Sequence, residues 1–426
     1  MQLSWTAPRG WLEIREAWTA LEVRRALEDA LRARPGALPA DRGSRVLIKP
    51  NLNNDLIALT GNSADLRVLR ALAEALRDRG YTRVALGDGS NVGVHRRGID
   101  VARRLRVDRL AHRYGLRLVD LNAGEGVRVR LHGGAAPRIS AEVVEAELLV
   151  SVPKVKTHAE VGFSGACKNL IGVVVGQDKR QIHLALADNI VALAELMPTT
   201  LVLVDGLVAM EGNGPGDGDP WRLGHLALSD RPWLVDAAMS RLAGLRWEQL
   251  PTLTRAVAQG HLDQGELDGL RARIAPARLA RPAPPRGGLA RASEHRLLRP
   301  LKLAVRPLLS PPVMEAAYRA GVVQDVYALD DDAVRGVVVA DEAACTRCGA
   351  CEAVCPDSLP LAEIGRVSDP ARCLGCLYCW WVCPSGALAP DGPLGAMGRQ
   401  VARYKRAVEG VGGGWSGGET RGSSSE

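Results

Sequence analysis

Two cysteine-rich stretches decide the fold of the last quarter of the chain: CTRCGACEAVCP at residues 345–356 and CLGCLYCWWVCP at residues 373–384. Each follows the pattern Cys-x2-Cys-x2-Cys-x3-Cys-Pro. A cubane iron–sulfur cluster needs four thiolates at tetrahedral corners. In this pattern, three of them come from one stretch and the fourth comes from the other. The spacing therefore predicts two [4Fe–4S] clusters.

The pattern uses eight of the nine cysteines. The first cluster is predicted on Cys345, Cys348, Cys351 and Cys383. The second is predicted on Cys373, Cys376, Cys379 and Cys355. Zinc is the alternative, because paired Cys-x2-Cys sites also bind zinc, but zinc has no use for the full repeated pattern. The stretch resembles bacterial ferredoxins over its whole length, which implies a small α+β iron–sulfur domain.

Upstream of the cysteines, short apolar strands alternate with helical segments. The predicted strands are 45–50, 83–88, 116–120, 147–153, 201–205 and 224–229. The predicted helices are 13–34, 63–80, 99–114, 180–196 and 232–244, with Ser63 as the N-cap of the second. Such alternation favours an α/β fold, a mostly parallel Rossmann-like sheet with helices on both faces.

The predicted organisation has four parts. They are an α/β domain at 1–245, a linker or helical region rich in Pro and Arg at 246–335, the ferredoxin domain at 336–392, and a helix with a Gly/Ser tail at 393–426. A short helix is predicted around 313–321, inside the second part.

Composition excludes several classes of protein. Hydrophobic residues make up 46% and charged residues 24%, as in ordinary globular proteins. No run of 18 apolar residues predicts a membrane span, and no apolar segment behind a basic start predicts a secretory signal. We therefore expect a cytoplasmic protein. The net charge of +7 is spread over 426 residues, so we predict binding to neither nucleic acid nor membranes.

Lysine is rare in this chain, since only 7 of the 55 basic residues are lysines. Four of them, Lys154, Lys156, Lys168 and Lys179, lie close together in sequence. An ammonium is a compact charge that loses its proton more readily than a guanidinium does, so this grouping suggests a specific role. Exposed loop charges are the alternative interpretation.

The segment SVPKVKTHAEVGFSGACKNLIGVVVGQDKRQIH (151–183) follows a predicted buried strand. Its polar side chains are therefore expected at the carboxyl edge of a parallel sheet, where ligands bind. A pocket of ammonium and imidazole groups suits a carboxylate or phosphate substrate, and repulsion between them would lower a lysine pKa. The predicted catalytic residues are Lys154, Lys156, His158, Lys168 and His183.

Polar residues also follow the other predicted strands. The predicted substrate-binding residues are Lys49, Asn51, Asp88, Asn91, Asn169, Lys179, Asp205, Glu211 and Asn213. The glycine-rich stretches GDGS (87–90) and GNGPGDG (212–218) lack the Lys-Ser/Thr pair of a P-loop. No Gly-x-Gly-x-x-Gly opens a helix, so the nicotinamide fingerprint is absent.

These stretches resemble the domain of unknown function 362 family over about residues 45–245. The matching stretches are KPNL (49–52), GDGSN (87–91), SVPKVKTH (151–158), GACKNLIGV (165–173), DKRQIH (178–183), VDGLVAMEGNGPGDG (204–218) and VDAAMSRLAG (235–244). The family is often fused to a C-terminal ferredoxin, and the resemblance implies little chemistry. Cys167 stands where the family has a small or apolar residue, so we interpret it as a small buried hydrophobe; a redox thiol is the alternative.

Three functions fit this pattern. The first is a ferredoxin-coupled oxidoreductase that exchanges electrons with a donor or acceptor protein and acts on an anionic small molecule. The second is an electron-transfer or adaptor subunit of a partner redox enzyme. The third is a non-redox enzyme with structural or sensory clusters, loosely similar to lactate racemases, with an adduct on Lys154, Lys156 or Lys168.

Overall fold

The computed structural model describes residues 1–96, 98–197, 200–276, 334–394 and 396–412. Its strands are β1 (Leu3–Ala7), β2 (Gly10–Glu16), β3 (Val46–Pro50), β4 (Val84–Asp88), β5 (Arg117–Asp120), β6 (Gly126–Arg128), β7 (Arg138–Ser140), β8 (Leu148–Val152), β9 (Lys154–His158), β10 (Gly162–Ser164), β11 (Thr200–Asn213), β12 (Asp217–Ser229), β13 (Val337–Val339) and β14 (Leu388–Pro390).

The helices alternate with these strands. They are α1 (Ala20–Ala33), α2 (Leu66–Asp78), α3 (Val92–Arg96), α4 (Val101–Arg104), α5 (Val107–Arg113), α6 (Ala141–Val144), α7 (Ala166–Asn169), α8 (Leu186–Leu196), α9 (Pro232–Leu242), α10 (Pro251–Ala258), α11 (Gln264–Arg273), α12 (Ala350–Ala353), α13 (Tyr378–Val382) and α14 (Ala396–Gly412).

A ten-stranded sheet forms the centre of the described residues. Its parallel part has the order β11-β8-β3-β4-β5. The chain moves outward from β3 to β4 and β5, then returns to β8 on the other side of β3. The strand order therefore reverses between β3 and β8, and doubly wound sheets bind ligands at the carboxyl ends of strands at such a point. The predicted α/β class with a mostly parallel central sheet is confirmed.

Strand β3 shows how the sheet is covered on both faces. Val46 and Ile48 lie in the core that α1 and α2 contribute to, whereas Leu47 lies in the core that α8 contributes to. Successive side chains of a strand point to opposite faces, so one apolar run can serve both cores.

The prediction of one helix over 13–34 is wrong. Residues Gly10–Glu16 are strand β2, which pairs with both β1 and β12. Leu12 and Ile14 are fully buried on this strand, and their period of two is that of a strand. The helix begins only at Ala20, behind a capping box in which Thr19 and Glu22 each accept the other's backbone N–H.

Other predicted elements have different bounds. Helix α2 begins at Leu66 with Asp65, not Ser63, as its N-cap. The helix expected at 99–114 is broken into α4 and α5 by Arg106, whose φ is 61°. The helix expected at 180–196 is α-helical only from Leu186, because Gly176–Ala185 is a 3-10 helix.

Helices α10 and α11 lie beyond residue 245 and pack against α9, with Leu253, Leu267 and Leu270 in the same core as Leu234 and Leu242. The predicted helix at 313–321 and most of the Pro- and Arg-rich stretch fall within 277–333, outside the described residues. Most of the predicted Gly/Ser tail, residues 413–426, also lies outside them.

The C-terminal module is packed onto the side of the α/β sheet by α5. The guanidinium of Arg106 donates to the carbonyls of Gly375 and Val334, at 3.3 and 2.6 Å. Arg113 pairs with the carboxylate of Asp357. Because these contacts hold the loop that carries the second set of cysteines, they set its position relative to the sheet.

Candidate functional site

A cavity of about 150 Å³ opens at the carboxyl ends of β3 and β4 and beside β9, which continues from β8. It therefore lies at the point where the strand order reverses. The polar side chains lining it include the predicted residues Asn51, Asp88, Asn91, Lys156, Lys168, Asn169, Lys179 and His183. The structure thus brings together most of the site residues predicted from the sequence.

Lys49 lies behind the wall of this cavity. Its Nζ is 2.7 Å from Asp88 Oδ1 and 3.2 Å from Asn169 Oδ1, and burial lowers its pKa. The other oxygen of Asp88 accepts the Leu52 backbone N–H at 2.7 Å. A Cβ on Gly172 would lie 2.3 Å from Asp88 Oδ1, so only glycine leaves this pair undisturbed. Asp88 is in contact with Lys49, and its charge also favours the protonated forms of Lys156 and Lys179.

Lys156 reaches the cavity from β9. Its Nζ donates to Asn51 Oδ1 at 2.8 Å, and no carboxylate contacts it among the described residues. Burial, followed by repulsion from Lys168 and Lys154, holds the pKa of Lys156 well below its ordinary value. Lys156 therefore loses its proton more readily than an ordinary lysine does.

Lys168 and Lys179 are the other two amines of the cavity. Burial lowers the pKa of each to about 8. Lys179 donates to the side chain of Asn122 and the carbonyl of Val174. Within the described residues, the Lys168 ammonium has no hydrogen-bond partner or ion pair. Both amines carry a proton at neutral pH, so the cavity attracts anions.

The two predicted histidines have different surroundings. His183 lines the cavity and is exposed, with Nδ1 3.4 Å from Glu160 Oε2. His158 is buried outside the cavity, and its Nδ1 accepts the Glu160 backbone N–H at 3.1 Å. Burial, then repulsion from Lys168, holds the pKa of His158 well below its ordinary value. His158 therefore shapes the loop, while His183 can meet a ligand.

Lys154 and Asp205 also lie outside the cavity, in an ionic network beneath it. Both side chains are fully buried, and Nζ lies 2.8 Å from Oδ2. Asp205 Oδ2 also accepts the Asp65 backbone N–H at 2.6 Å, and Asp65 pairs with Arg67 at 2.7 Å. Burial raises the pKa of Asp205. This network joins β9 and β11 to the start of α2.

Glu211 and Asn213, at the end of β11, do not line the cavity either. Their hairpin instead contributes Pro215, whose carbonyl accepts a hydrogen bond from Asn62. The cavity is also lined by Asn53, Ser164 and Arg180, which were not among the site residues predicted from the sequence. Ser164 and Arg180 lie inside the segment 151–183 and had no local signal of their own, whereas Asn53 follows the first parallel strand.

The cysteines of the first predicted cluster line a second cavity, of about 570 Å³. They are Cys345, Cys348, Cys351 and Cys383. In the part of the chain that the structure describes, no three His, Cys, Asp or Glu side chains are placed to share one metal ion. A cubane is wider than a single ion, so its thiolates stand further apart than zinc ligands do. The donor set and the room fit a [4Fe–4S] cluster.

The cysteines of the second predicted cluster are grouped more deeply. Burial, followed by the neighbouring Cys379 and Cys355, raises the pKa of the Cys376 thiol well above its ordinary value. The Gly375 backbone N–H donates to Cys373 Sγ at 3.4 Å, the kind of contact that tunes a cluster. These four thiols fit the predicted grouping, and the number of two clusters stays a prediction.

Comparisons with known proteins give matches to two separate parts of the chain. Residues 46–241 match the model of a domain of unknown function (DUF362), and residues 337–384 match that of a 4Fe-4S dicluster domain. The thylakoid-associated protein sll1697 of Synechocystis sp. strain PCC 6803 is 27% identical over 229 residues, which cover 50% of this chain and 66% of that protein. These matches confirm the resemblance and the presence of an iron–sulfur domain.

No helix among the described residues is long and apolar enough to cross a bilayer. The name of the Synechocystis relative places that protein at thylakoids. A cytoplasmic location for this chain stays a prediction.

Proposed function

We propose that this chain, in which a DUF362-family domain is joined to a 4Fe-4S dicluster domain, is an iron–sulfur oxidoreductase that acts on a small anion. The observation that carries the proposal is the ammonium of Lys168, which lines the cavity with no hydrogen bond or ion-pair contact among the described residues, so that only the more distant Glu160 carboxylate favours its charge. A charge withdrawn from water is costly unless a close partner offsets it, and a ligand with the opposite charge would supply that contact.

The size of the cavity limits the substrate. The cavity measures about 150 Å³, so it suits a small anion better than a larger ligand. Sites for larger ligands usually exceed about 300 Å³. We therefore infer a small carboxylate or phosphate compound as the substrate and not a nucleotide.

The lysines also suit proton transfer. A general acid or base works best when its pKa lies near the working pH. Lys168 and Lys179 both have a pKa of about 8, and burial is the main cause in each. Either amine can hold the anion while protonated and give its proton to a substrate atom beside it.

Iron–sulfur clusters bound by these cysteines would supply single electrons, and contacts within the chain link the second cysteine loop to the cavity. Tyr378, between Cys376 and Cys379, accepts the Leu66 backbone N–H at 3.4 Å. Two residues before Leu66, the Ala64 N–H donates to the Asn51 carbonyl at 2.9 Å, and Asn51 lines the cavity. This short route through packed protein supports electron exchange between the two sites.

The test is anaerobic reconstitution of the full chain with iron and sulfide. The protein is reduced with dithionite, and reoxidation by a panel of small carboxylates and phosphates is followed by absorbance. We expect one compound to reoxidise the wild type and not Lys168→Met. Lys168→Arg keeps the charge but not a titratable amine, so it should bind the compound and turn over slowly. No reoxidation by any compound contradicts the proposal.

A second function, an electron-transfer subunit of a partner redox enzyme, is favoured by one observation. Cys345 and Cys348 are exposed, so the first cluster position is open to another protein. Anaerobic purification from the native host tests this function. A redox enzyme that copurifies in equal amount, together with no turnover by the isolated chain, would favour it over the first.

A further inference from the structure

A buried carboxylate outside the cavity contacts the short helix that carries Lys168. Asp236 lies on α9 and is 3% exposed. Its Oδ1 accepts the Ala166 backbone N–H at 2.6 Å, and its Oδ2 accepts the Cys167 N–H at 3.0 Å. Each carboxylate oxygen therefore accepts the backbone N–H of one of the first two residues of α7. Asp236 belongs to the stretch VDAAMSRLAG, which the site as described above does not use.

Helix α7 has four residues, and two of them line the cavity: Lys168 and Asn169. A helix this short makes few internal hydrogen bonds and does not hold itself together. Asn169 is fixed separately, because its Oδ1 accepts from Asn51 Nδ2 at 3.1 Å and its Nδ2 donates to Ser151 Oγ at 3.0 Å. Lys168 has no comparable contact among the described residues, so its position depends on the start of α7.

The residue before α7 permits this arrangement. A Cβ on Gly165 would lie 2.2 Å from Asp236 Oδ1 and 2.6 Å from the ring of Phe163. Any larger residue would push the carboxylate away from the two N–H groups. Gly165 and Asp236 therefore act together, although they are far apart in sequence.

We propose that Asp236 is a positioning residue that holds the start of α7 and thereby places the Lys168 ammonium in the cavity. The role of Asp236 in anion binding rests on the proposed function, whereas its hydrogen bonds to the start of α7 do not. Burial raises the pKa of Asp236 to about 6, so the group is ionised at neutral pH and accepts both N–H donors. An asparagine would present an NH2 group to one of them and leave that buried N–H without an acceptor.

The first test measures Lys168 itself and needs no ligand. Competitive acetylation of the full chain between pH 6 and 11, read peptide by peptide by mass spectrometry, gives the pKa of each lysine amine. In the wild type we expect about 8 for Lys168. In Asp236→Asn the loosened helix exposes the amine to water, so its pKa should rise towards the ordinary 10.5. A value that stays at about 8 overturns the inference.

Asp263→Asn is the matched control. Asp263 caps α11 by accepting the Glu266 N–H at 2.8 Å, so this variant also loses a helix-capping carboxylate but leaves α7 intact. The pKa of Lys168 should not change in it. Gly165→Ala is the second route to the same result, should Asp236→Asn fail to fold. It displaces the carboxylate sterically and should raise the same pKa.

The second test measures binding of inorganic sulfate by calorimetry at pH 7.5. We expect Asp236→Asn and Lys168→Met each to weaken binding about tenfold, which is about 1.4 kcal/mol. The double variant should bind no more weakly than Lys168→Met, because Asp236 acts through Lys168. Additive losses overturn the inference. If the wild type binds no anion, the proposed function fails, and the acetylation result still decides the role of Asp236.

Discussion

The buried pair of Lys154 and Asp205 offers a sharp test of the electrostatics beneath the site. Both side chains are 0% exposed, and Nζ lies 2.8 Å from Oδ2. Replacing Lys154 with methionine keeps most of the side-chain volume and removes the charge. Asp205 then keeps two backbone donors, the N–H groups of Asp65 and Leu207, at 2.6 and 3.1 Å.

Two hydrogen bonds do not replace the lost charge. Breaking a buried ion pair by removing one partner costs about 3–5 kcal/mol of the free energy of unfolding, because the other charge stays buried. Arg32→Met is the control, since Arg32 pairs with Asp29 at 2.7 Å while the two side chains are 75% and 57% exposed. An exposed pair of this kind contributes less than about 1 kcal/mol.

The pH dependence adds a second signature. Burial already raises the pKa of Asp205, and loss of Lys154 raises it further. A carboxyl group whose pKa is higher in the folded state gives stability at low pH and loses it as pH rises through the folded pKa. The loss in free energy of unfolding caused by Lys154→Met should therefore be smaller at pH 5 than at pH 8.

Urea unfolding of the full chain under anaerobic conditions, followed by circular dichroism at both pH values, measures these effects. A deficit below about 1 kcal/mol at pH 8, equal to that of Arg32→Met, would refute the view that the pair is desolvated. A loss in free energy of unfolding that is larger at pH 5 than at pH 8 would refute the view that Asp205 carries the unpaired charge in Lys154→Met.

Three further predictions concern the cavity and the clusters. Sulfate affinity should fall as pH rises through about 8, where Lys168 loses its proton. Calorimetry should show that the affinity of Lys168→Met for sulfate depends less on pH than that of the wild type. Gly172→Ala should weaken sulfate binding at least about tenfold, because the new methyl group meets Asp88 Oδ1 at 2.3 Å. Gly36→Ala, whose new methyl group has no atom of the described residues within 4 Å, should bind as the wild type does. Cys376→Ala should lose about half of the iron measured after reconstitution, whereas Cys167→Ala should keep all of it; equal iron in both variants would contradict the cluster assignment.

Several features of this protein depend on short stretches of sequence and were predictable for that reason. The cysteine ligands follow a fixed spacing, because one loop wraps three thiolates around a cluster. Asn51 follows directly on one apolar strand and Asp88 is the last residue of the next, and parallel strands bring their carboxyl ends to one edge. The rarity of lysine then singled out Lys168 among many basic residues.

Long-range contacts decided the rest. Lys154 and Lys156 lie two residues apart on the same strand, yet one pairs with Asp205 and the other reaches the cavity. Residues Gly10–Glu16 form a strand that pairs with β1 and with the distant β12, so the helix predicted from residue 13 onward is wrong there. Asp236 contacts Ala166 across 70 residues of sequence. A local pattern contains the chemical type of a side chain but not its distant partner, and that partner determines its charge, burial and role.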